Sequence, residues 1–312
     1  VKRLKNNPLI SIIILSYKNL SYIYETINSV LEQVYSNIEL IISDDGTENF
    51  CQQEYIDYIK LNNKGNISNV IVHTNKINKG TVKNINNAIS MSKGKYIKLI
   101  AADDAFYDGT VIASFVSFFE NTSSLIVASK IEICDSELKV TQDHSYNYAY
   151  NETLKNNLNN LSSKECFVEL CKENFISAPS VCFAKELFEI YGLFDEKYIL
   201  VEDYPMWLKL FRVGCKIDYH NIVSVKYRTE VGVTGSPNKI FAEDMKRCFN
   251  TEIQPYKDIL GYWQHKKIVY SFIKKRELKG YSSLHKIIFL VENIDYLLVY
   301  SLPKKILSMV TK

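Results

Sequence analysis

Residues 8–47 read PLISIIILSYKNLSYIYETINSVLEQVYSNIELIISDDGT, and the order of patterns in this stretch decides the fold. Residues 9–15 form an apolar run rich in isoleucine, interrupted only by Ser11. β-Branched side chains suit a pleated strand, and a run without polar alternation suits a strand covered on both faces, as in a parallel sheet. Residues 20–34 then place Leu20, Ile23, Ile27, Val30, Leu31 and Val34 at helical spacing. Residues 38–42 are a second apolar strand, which stops at the turn cluster Ser43-Asp44-Asp45-Gly46-Thr47. The rhythm continues outward with a polar helix over 52–61, a strand over 70–73 and a helix over 81–92. A fourth strand over 96–100 ends in Ala101-Ala102-Asp103-Asp104. Strand–helix–strand repetition predicts an α/β fold, with right-handed βαβ units in a Rossmann-like sheet flanked by helices.

Beyond residue 110 the rhythm loosens. Helices are expected over 110–120, 164–172, 185–191 and 205–213, and strands over 125–129, 177–183 and within 215–225. Residues 141–163 are Asn- and Tyr-rich with weak periodicity, which reads as a long loop. From about residue 240 the composition changes, with 13 Lys and Arg against 7 Asp and Glu, a net +6. The expected organisation is an α/β domain over 1–239 and a helical, basic extension over 240–312.

The 312 residues are 46% hydrophobic and 23% charged. That is a globular composition and excludes a disordered tail or a collagen-like repeat. A net charge of +3 gives no electrostatic case for nucleic acid as a partner. The seven cysteines include no C-x-x-C pair and the five histidines are scattered, so no zinc site is expected. Mostly buried, reduced thiols and a cytoplasmic location are expected instead. No apolar segment reaches the ~18 residues that span a bilayer, and the start of the chain has no signal-peptide pattern.

In a parallel sheet every strand-to-helix loop leaves at the carboxyl edge. Ser16-Tyr17, Asp44-Asp45, residues 76–80 and Asp103-Asp104 are therefore expected to meet there. Two adjacent carboxylates such as Asp103-Asp104 repel, and burial worsens this. A hard divalent cation shared with phosphate oxygens, Mg²⁺ or Mn²⁺, would resolve both problems; a helix cap followed by a turn also fits the pair. Asp44-Asp45 could accept hydrogen bonds from a base or ribose, or form an Asx turn. Glu202-Asp203 precede Tyr204-Pro205. They could supply a general base, or complement the dipole of the helix that Pro205 begins.

Taken in order, these segments resemble a known family. Residues 8–47, then NKGTVKNINNAISMSKGKYIKLIAADDAF, SAPSVCFAKELFEIYGLFDE and EDYPMWLKLFRVG, look like a family 2 glycosyltransferase with the GT-A fold, of the bacterial surface-polysaccharide type. The resemblance covers about residues 8–235. It implies inverting, metal-dependent transfer of a sugar, a hexose or N-acetylhexosamine, from a nucleotide donor, usually a UDP-sugar.

Carried over by position, Ser16 and Tyr17 would border the nucleotide, and Asp45 would bind the base with Asp44 beside it. Lys83 would approach the diphosphate. Asp103 would meet ribose or metal, Asp104 would ligate Mn²⁺ or Mg²⁺, and Asp203, next to Glu202, would be the base. Residues 177–180 and 192–196 match segments that shape the acceptor side. Three positions depart from the family pattern. Ala101 stands where many members have Asp, Ile85 where an Arg is common, and Glu230 where relatives carry a His.

The implied acceptor is a glycan, on an undecaprenyl-diphosphate lipid in O-antigen or capsule synthesis. The basic and apolar stretches of 240–312 suit peripheral contact with an anionic membrane; a packed helical cap or a homodimer interface would look similar. A degenerate, non-catalytic binder of sugar nucleotides is the alternative. A nucleotidyltransferase is disfavoured because residues 16–20, SYKNL, lack the glycines of a triphosphate-binding loop.

Overall fold

The computed structural model describes residues 7–141, 157–229, 238–276 and 282–298. Its first half follows the expected alternation: β1 (Ile10–Ser16), α1 (Ile23–Leu31), β2 (Ile38–Asp44), α2 (Gln52–Asn62), β3 (Ile67–Thr74), α3 (Thr81–Met91) and β4 (Tyr96–Ala101). The second half holds β5 (Ala105–Phe106), α4 (Val111–Asn121), β6 (Ile126–Cys134), α5 (Ser163–Lys172), β7 (Val181–Ala184), α6 (Glu186–Tyr191), α7 (Asp203–Arg212) and β8 (Asp218–Arg228). Together the strands form one sheet in the order β3-β2-β1-β4-β7-β6-β8-β5. Its first four strands are parallel. β7 runs antiparallel to both β4 and β6, while β6 and β8 are parallel.

Alternation along the strands builds two cores, one on each face. Ile10, Ile12 and Ile14 of β1 join Ile38, Leu40 and Ile42 of β2 beneath α1, α2 and α4. Ile13 and Ile41 point the other way, toward α3 and the second half of the chain. All eight side chains are fully buried, and each such burial is worth roughly 1.5–3 kcal/mol. This is why the run is nearly continuous in the sequence although the strand has period two.

Several expected bounds move. The helix expected over 20–34 spans Ile23–Leu31, and Val34 is exposed. The strand expected from 177 starts as a 3₁₀ turn, Ala178–Ser180, because Pro179 has no N–H to give a ladder. The strand within 215–225 runs over Asp218–Arg228. The short β5 was not expected. Of the loop expected over 141–163, residues 142–156 lie outside the described residues. Helix α5 starts at Ser163 on a capping box between Ser162 and Glu165.

The region after 238 is helical where described: α8 (Lys239–Cys248), a π turn Phe249–Ile253, α9 (Lys257–Leu260), α10 (Tyr262–Arg276), α11 (Ser283–Glu292) and α12 (Ile294–Tyr296). Cys248, Phe249, Ile253, Leu260 and Ile268 belong to the same buried cluster as Trp207 and Phe183. This part of the chain therefore completes the core of the α/β sheet. All seven cysteines are free, and all except Cys51 are buried. No helix among the described residues is long and apolar enough to cross a membrane.

Candidate active site

Strand register sets the site. Ser16 stands opposite Asp44, Asp44 opposite Thr74, and Leu15 opposite Ala101. The ends of β1, β2, β3 and β4 thus lie side by side at the carboxyl edge. Ser16, Asp44, Asp45 and the Asp103-Asp104 pair come together there. Tyr17 follows on the exposed side, 40% accessible. At Lys18 the backbone adopts φ +61°, closed by the Asn19 amide donating to the Tyr17 carbonyl at 2.7 Å. A non-glycine residue in this region is strained, and the Lys18 amide is held by Thr47 Oγ1 at 2.7 Å.

The two acids of the second strand are hubs. Asp44 is fully buried. Its carboxylate accepts from Ser16 Oγ, the Gly46 and Thr47 amides, Thr47 Oγ1 and Thr74 Oγ1. Asp45 accepts from Asn75 Nδ2 at 2.9 Å and from the amides of Lys79 and Gly80 at 2.9 and 2.8 Å. Asp44 therefore fixes the turn after β2, and Asp45 fixes the 76–80 loop that enters α3. Asn75, Asn84 and Thr74 complete this network. Their small polar side chains carry no chemical signature in a sequence. Lys83 is exposed on the first turn of α3.

The third acidic pair is built differently. Asp104 is buried. Its Oδ1 accepts from the Arg228 amide at 3.0 Å, whereas its buried Oδ2 has no hydrogen-bond partner. Burial, and then the neighbouring Asp103 charge, hold its pKa well above the ordinary aspartate value. Burial also raises Asp103, with Arg228 among the groups pulling it back.

Arg228 was not anticipated as a site residue. Its buried guanidinium donates to the carbonyls of Asp103 and Ser136 and to the carboxylate of Glu25. It also stacks 3.9 Å from the Tyr22 ring centre. It ends a strand of mixed polar and apolar letters, where an Arg does not stand out.

An unsatisfied buried carboxylate oxygen costs about 1–3 kcal/mol or more unless something cationic meets it. Among the described residues, no three His, Cys, Asp or Glu groups are arranged to hold a metal. Asp103 and Asp104 would thus supply two carboxylates, leaving the other positions to phosphate oxygens and water. Mg²⁺ and Mn²⁺ accept such a set, so the residues fit a divalent cation. Glu230 lies outside the described residues.

Asp203 opens α7 with Glu202 as its N-cap. Its carboxylate accepts from Asn174 Nδ2 at 3.0 Å and from the Tyr204 amide at 2.6 Å. Burial raises the pKa of both acids, and the Asp203 charge raises Glu202 further. The Asn174 side chain and the amides of Tyr204 and Ala178 draw Asp203 back down. No direct contact joins Asp203 to Asp103 or Asp104 among the described residues. The link runs through Lys98 of β4, whose buried ammonium donates to the Pro179 carbonyl at 2.5 Å, one residue from Ala178. Burial lowers the Lys98 pKa to about 8. A second link runs through Gly80. Its φ of +91° and the Ile199 carbonyl 2.9 Å from any added Cβ leave room only for glycine, three residues before Glu202.

Comparison with known proteins places the fold in a class. The solved mannosyltransferase PcManGT from Pyrobaculum calidifontis, in complex with GDP-Man and Mn²⁺, superposes with a TM-score of 0.56 at 13% identity, over 95% of this chain and 82% of its own. The shared architecture is the GT-A fold. The family model for Glycosyl transferase family 2 matches residues 11–169, and the chain belongs to that family. It is thus a glycosyltransferase by family.

An uncharacterized glycosyltransferase of Haemophilus influenzae is 27% identical over 75% of this chain and 69% of its own length. The Escherichia coli UDP-Glc:alpha-D-GlcNAc-diphosphoundecaprenol beta-1,3-glucosyltransferase WfaP is 28% identical over 72% of this chain and 78% of its own.

Proposed function

We propose that this glycosyltransferase is inverting and metal-assisted. It moves a hexose or N-acetylhexosamine from a UDP-sugar to a hydroxyl of a lipid-linked glycan, in the cytoplasmic assembly of a cell-surface polysaccharide. The observation that carries the reading is the orphaned Oδ2 of Asp104 beside Asp103, on the sheet edge where β1 and β2 also end. The UDP donor and the lipid-diphosphate acceptor are supported by the name of the WfaP relative.

In this reading Ser16, Tyr17 and the loops pinned by Asp44 and Asp45 form the nucleotide wall, with exposed Lys83 facing the diphosphate. Asp103 and Asp104 would hold Mn²⁺ or Mg²⁺. When bound, the cation neutralises charge that develops on the departing diphosphate. The acceptor oxygen attacks the anomeric carbon from the face opposite the leaving group. The carbon–oxygen bond to the diphosphate breaks and its electron pair leaves with the nucleotide. The hydroxyl proton passes to the Asp203 carboxylate. A single displacement needs one base, unlike a glycosidase with its two carboxylates. Burial and the Asp203 charge favour the protonated form of Glu202, while the Asn174 side chain and the Tyr204 amide favour the ionised form of Asp203.

A donor panel tests this. UDP- and GDP-sugars are incubated with Mn²⁺ and an N-acetylglucosaminyl-diphosphate lipid, and nucleoside diphosphate release is measured. One or a few UDP-sugars are expected to turn over. Turnover of GDP-sugars alone would overturn the donor assignment, and no turnover of any donor would overturn the reading.

Membrane contact through the C-terminal helices is part of the proposal. Leu284, Ile287, Ile288 and Val291 are exposed along α11. Phe289 is turned inward, 5.2 Å from the Tyr270 ring centre. Lys267 and Lys286 are exposed nearby. An apolar stripe beside lysines suits the surface of an anionic bilayer. The full chain should float with phosphatidylglycerol vesicles at low salt, whereas an Ile287→Glu, Val291→Glu double variant should stay at the bottom. Failure of the wild type to float would remove this element.

A further inference from the structure

The segment that leads into Glu202-Asp203 is irregular, and its amides need an acceptor. They find one on a helix outside the stretch that resembles the family. Asp244 of α8 is buried. Its Oδ2 accepts from three successive backbone N–H groups: Ile199 and Leu200 at 2.7 Å and Val201 at 3.2 Å. Three consecutive amides converging on one oxygen form an anion-binding nest, here closed by a side chain of the protein itself.

The Ile199 carbonyl faces the other way and accepts from the Val82 amide at 3.2 Å, on the first turn of α3. Arg247 stands 3.9 Å from Asp244 Oδ1 and donates to the Lys197 carbonyl. Residues 199–201 are therefore gripped on one side by the C-terminal region and on the other by the loop that Asp45 organises. The base pair of acids follows at once.

We propose that Asp244 is a positioning residue for transfer, fixing Asp203 relative to the donor-side loop through the 199–201 amides. This role rests on the assignment of Asp203 as the base. A buried carboxylate is costly unless charge-assisted hydrogen bonds compensate it, and here the three that Asp244 accepts among the described residues all come from the segment preceding the base. Displacing a catalytic group by about 1 Å can cost on the order of 100-fold in rate.

The test compares wild type, Asp244→Asn, Asp244→Ala and, as a surface control, Glu243→Gln. It uses the donor and acceptor that turn over fastest in the panel above. Asp244→Asn keeps the shape but loses the charge. It is expected to lower kcat by about 10- to 100-fold and to leave UDP binding within about twofold, with Asp244→Ala lower still and Glu243→Gln unchanged. Hydrogen exchange should speed up at the amides of 199–201 while the strands β1, β2 and β4 keep their protection.

Unchanged kcat in Asp244→Asn, or retained protection at 199–201, would overturn the proposal. A uniform loss of protection would do the same, because it would make Asp244 a general stabiliser. If Asp244→Ala does not fold, Asp244→Asn carries the test alone. Asp203→Asn run in parallel separates the two assignments. Transfer kept in that variant defeats the base, whereas transfer lost there but kept in Asp244→Asn defeats only the positioning role.

Discussion

Asp203→Asn is expected to lower glycosyl transfer by about 10²- to 10⁴-fold, the usual contribution of a general base, while UDP still binds. The amide preserves the size of the side chain, and its oxygen can still accept from the Tyr204 amide or Asn174. What it cannot do is take a proton from the acceptor hydroxyl. The pH profile carries a second signature. A base works ionised, and burial raises the pKa of Asp203. The acid limb of kcat should therefore lie above the usual carboxylate range, with activity rising as pH increases through it. Because Glu202 is protonated where Asp203 titrates, Glu202→Gln removes no charge and should leave that limb in place, with transfer at neutral pH retained. Isothermal titration with UDP and initial rates across pH measure both. Transfer within about threefold of wild type in Asp203→Asn would end the assignment.

The parts of the fold that could be read from the sequence are those where a single physical rule dominates. β1, β2 and β4 are buried on both faces, so their letters are almost uniformly apolar, and α1 and α3 carry a plain helical stripe. Once those strands are parallel, the meeting of Ser16, Asp44 and Asp103 at one edge follows from topology. The mixed half was harder to read. β5 is two residues long. β7 is delayed by Pro179, and β6 pairs with β8 through register shifts. Lys98 is fully buried in mid-strand, where a charged letter ordinarily marks a solvent-facing position.

The acids show a deeper limit. Asp44, Asp45 and Asp104 look alike in a sequence. Five donors reach Asp44, while one oxygen of Asp104 has none. The donors come from residues up to 30 positions away, such as Thr74, and from backbone amides. A sequence shows an amide at every residue except proline but not where it points. Asp244 hides for the same reason, because an acid on a polar helix reads as solvated until the loop it holds is in place.

Asp104→Asn separates a structural acid from one kept for a ligand, because the two roles predict opposite changes in stability. If Asp104 served the fold alone, removing its charge would weaken the hydrogen bond from the Arg228 amide, which a neutral amide oxygen accepts less strongly, and lower stability. The surroundings argue the other way. Burial and the Asp103 charge disfavour the ionised form. An acid whose folded pKa is raised contributes less stability as pH climbs above its unfolded value. At neutral pH without metal, the carboxylate is a cost to the folded state, and Asn should leave the metal-free protein as stable as wild type or more so. Mn²⁺ should raise the Tm of wild type, as any ligand of the native state does, and should leave the variant unmoved. Transfer should fall by about 10²-fold or more, the scale of losing one preorganised electrostatic contact to developing charge. EDTA should reduce the wild type to a similar level. Thermal unfolding with and without Mn²⁺, alongside rates with and without chelator, decides the matter. Equal Mn²⁺ shifts in both proteins, or wild-type transfer indifferent to EDTA, would show that Asp104 holds no cation. A site that keeps a destabilising acid at the edge where three other strands end is the trade expected when function outweighs local stability.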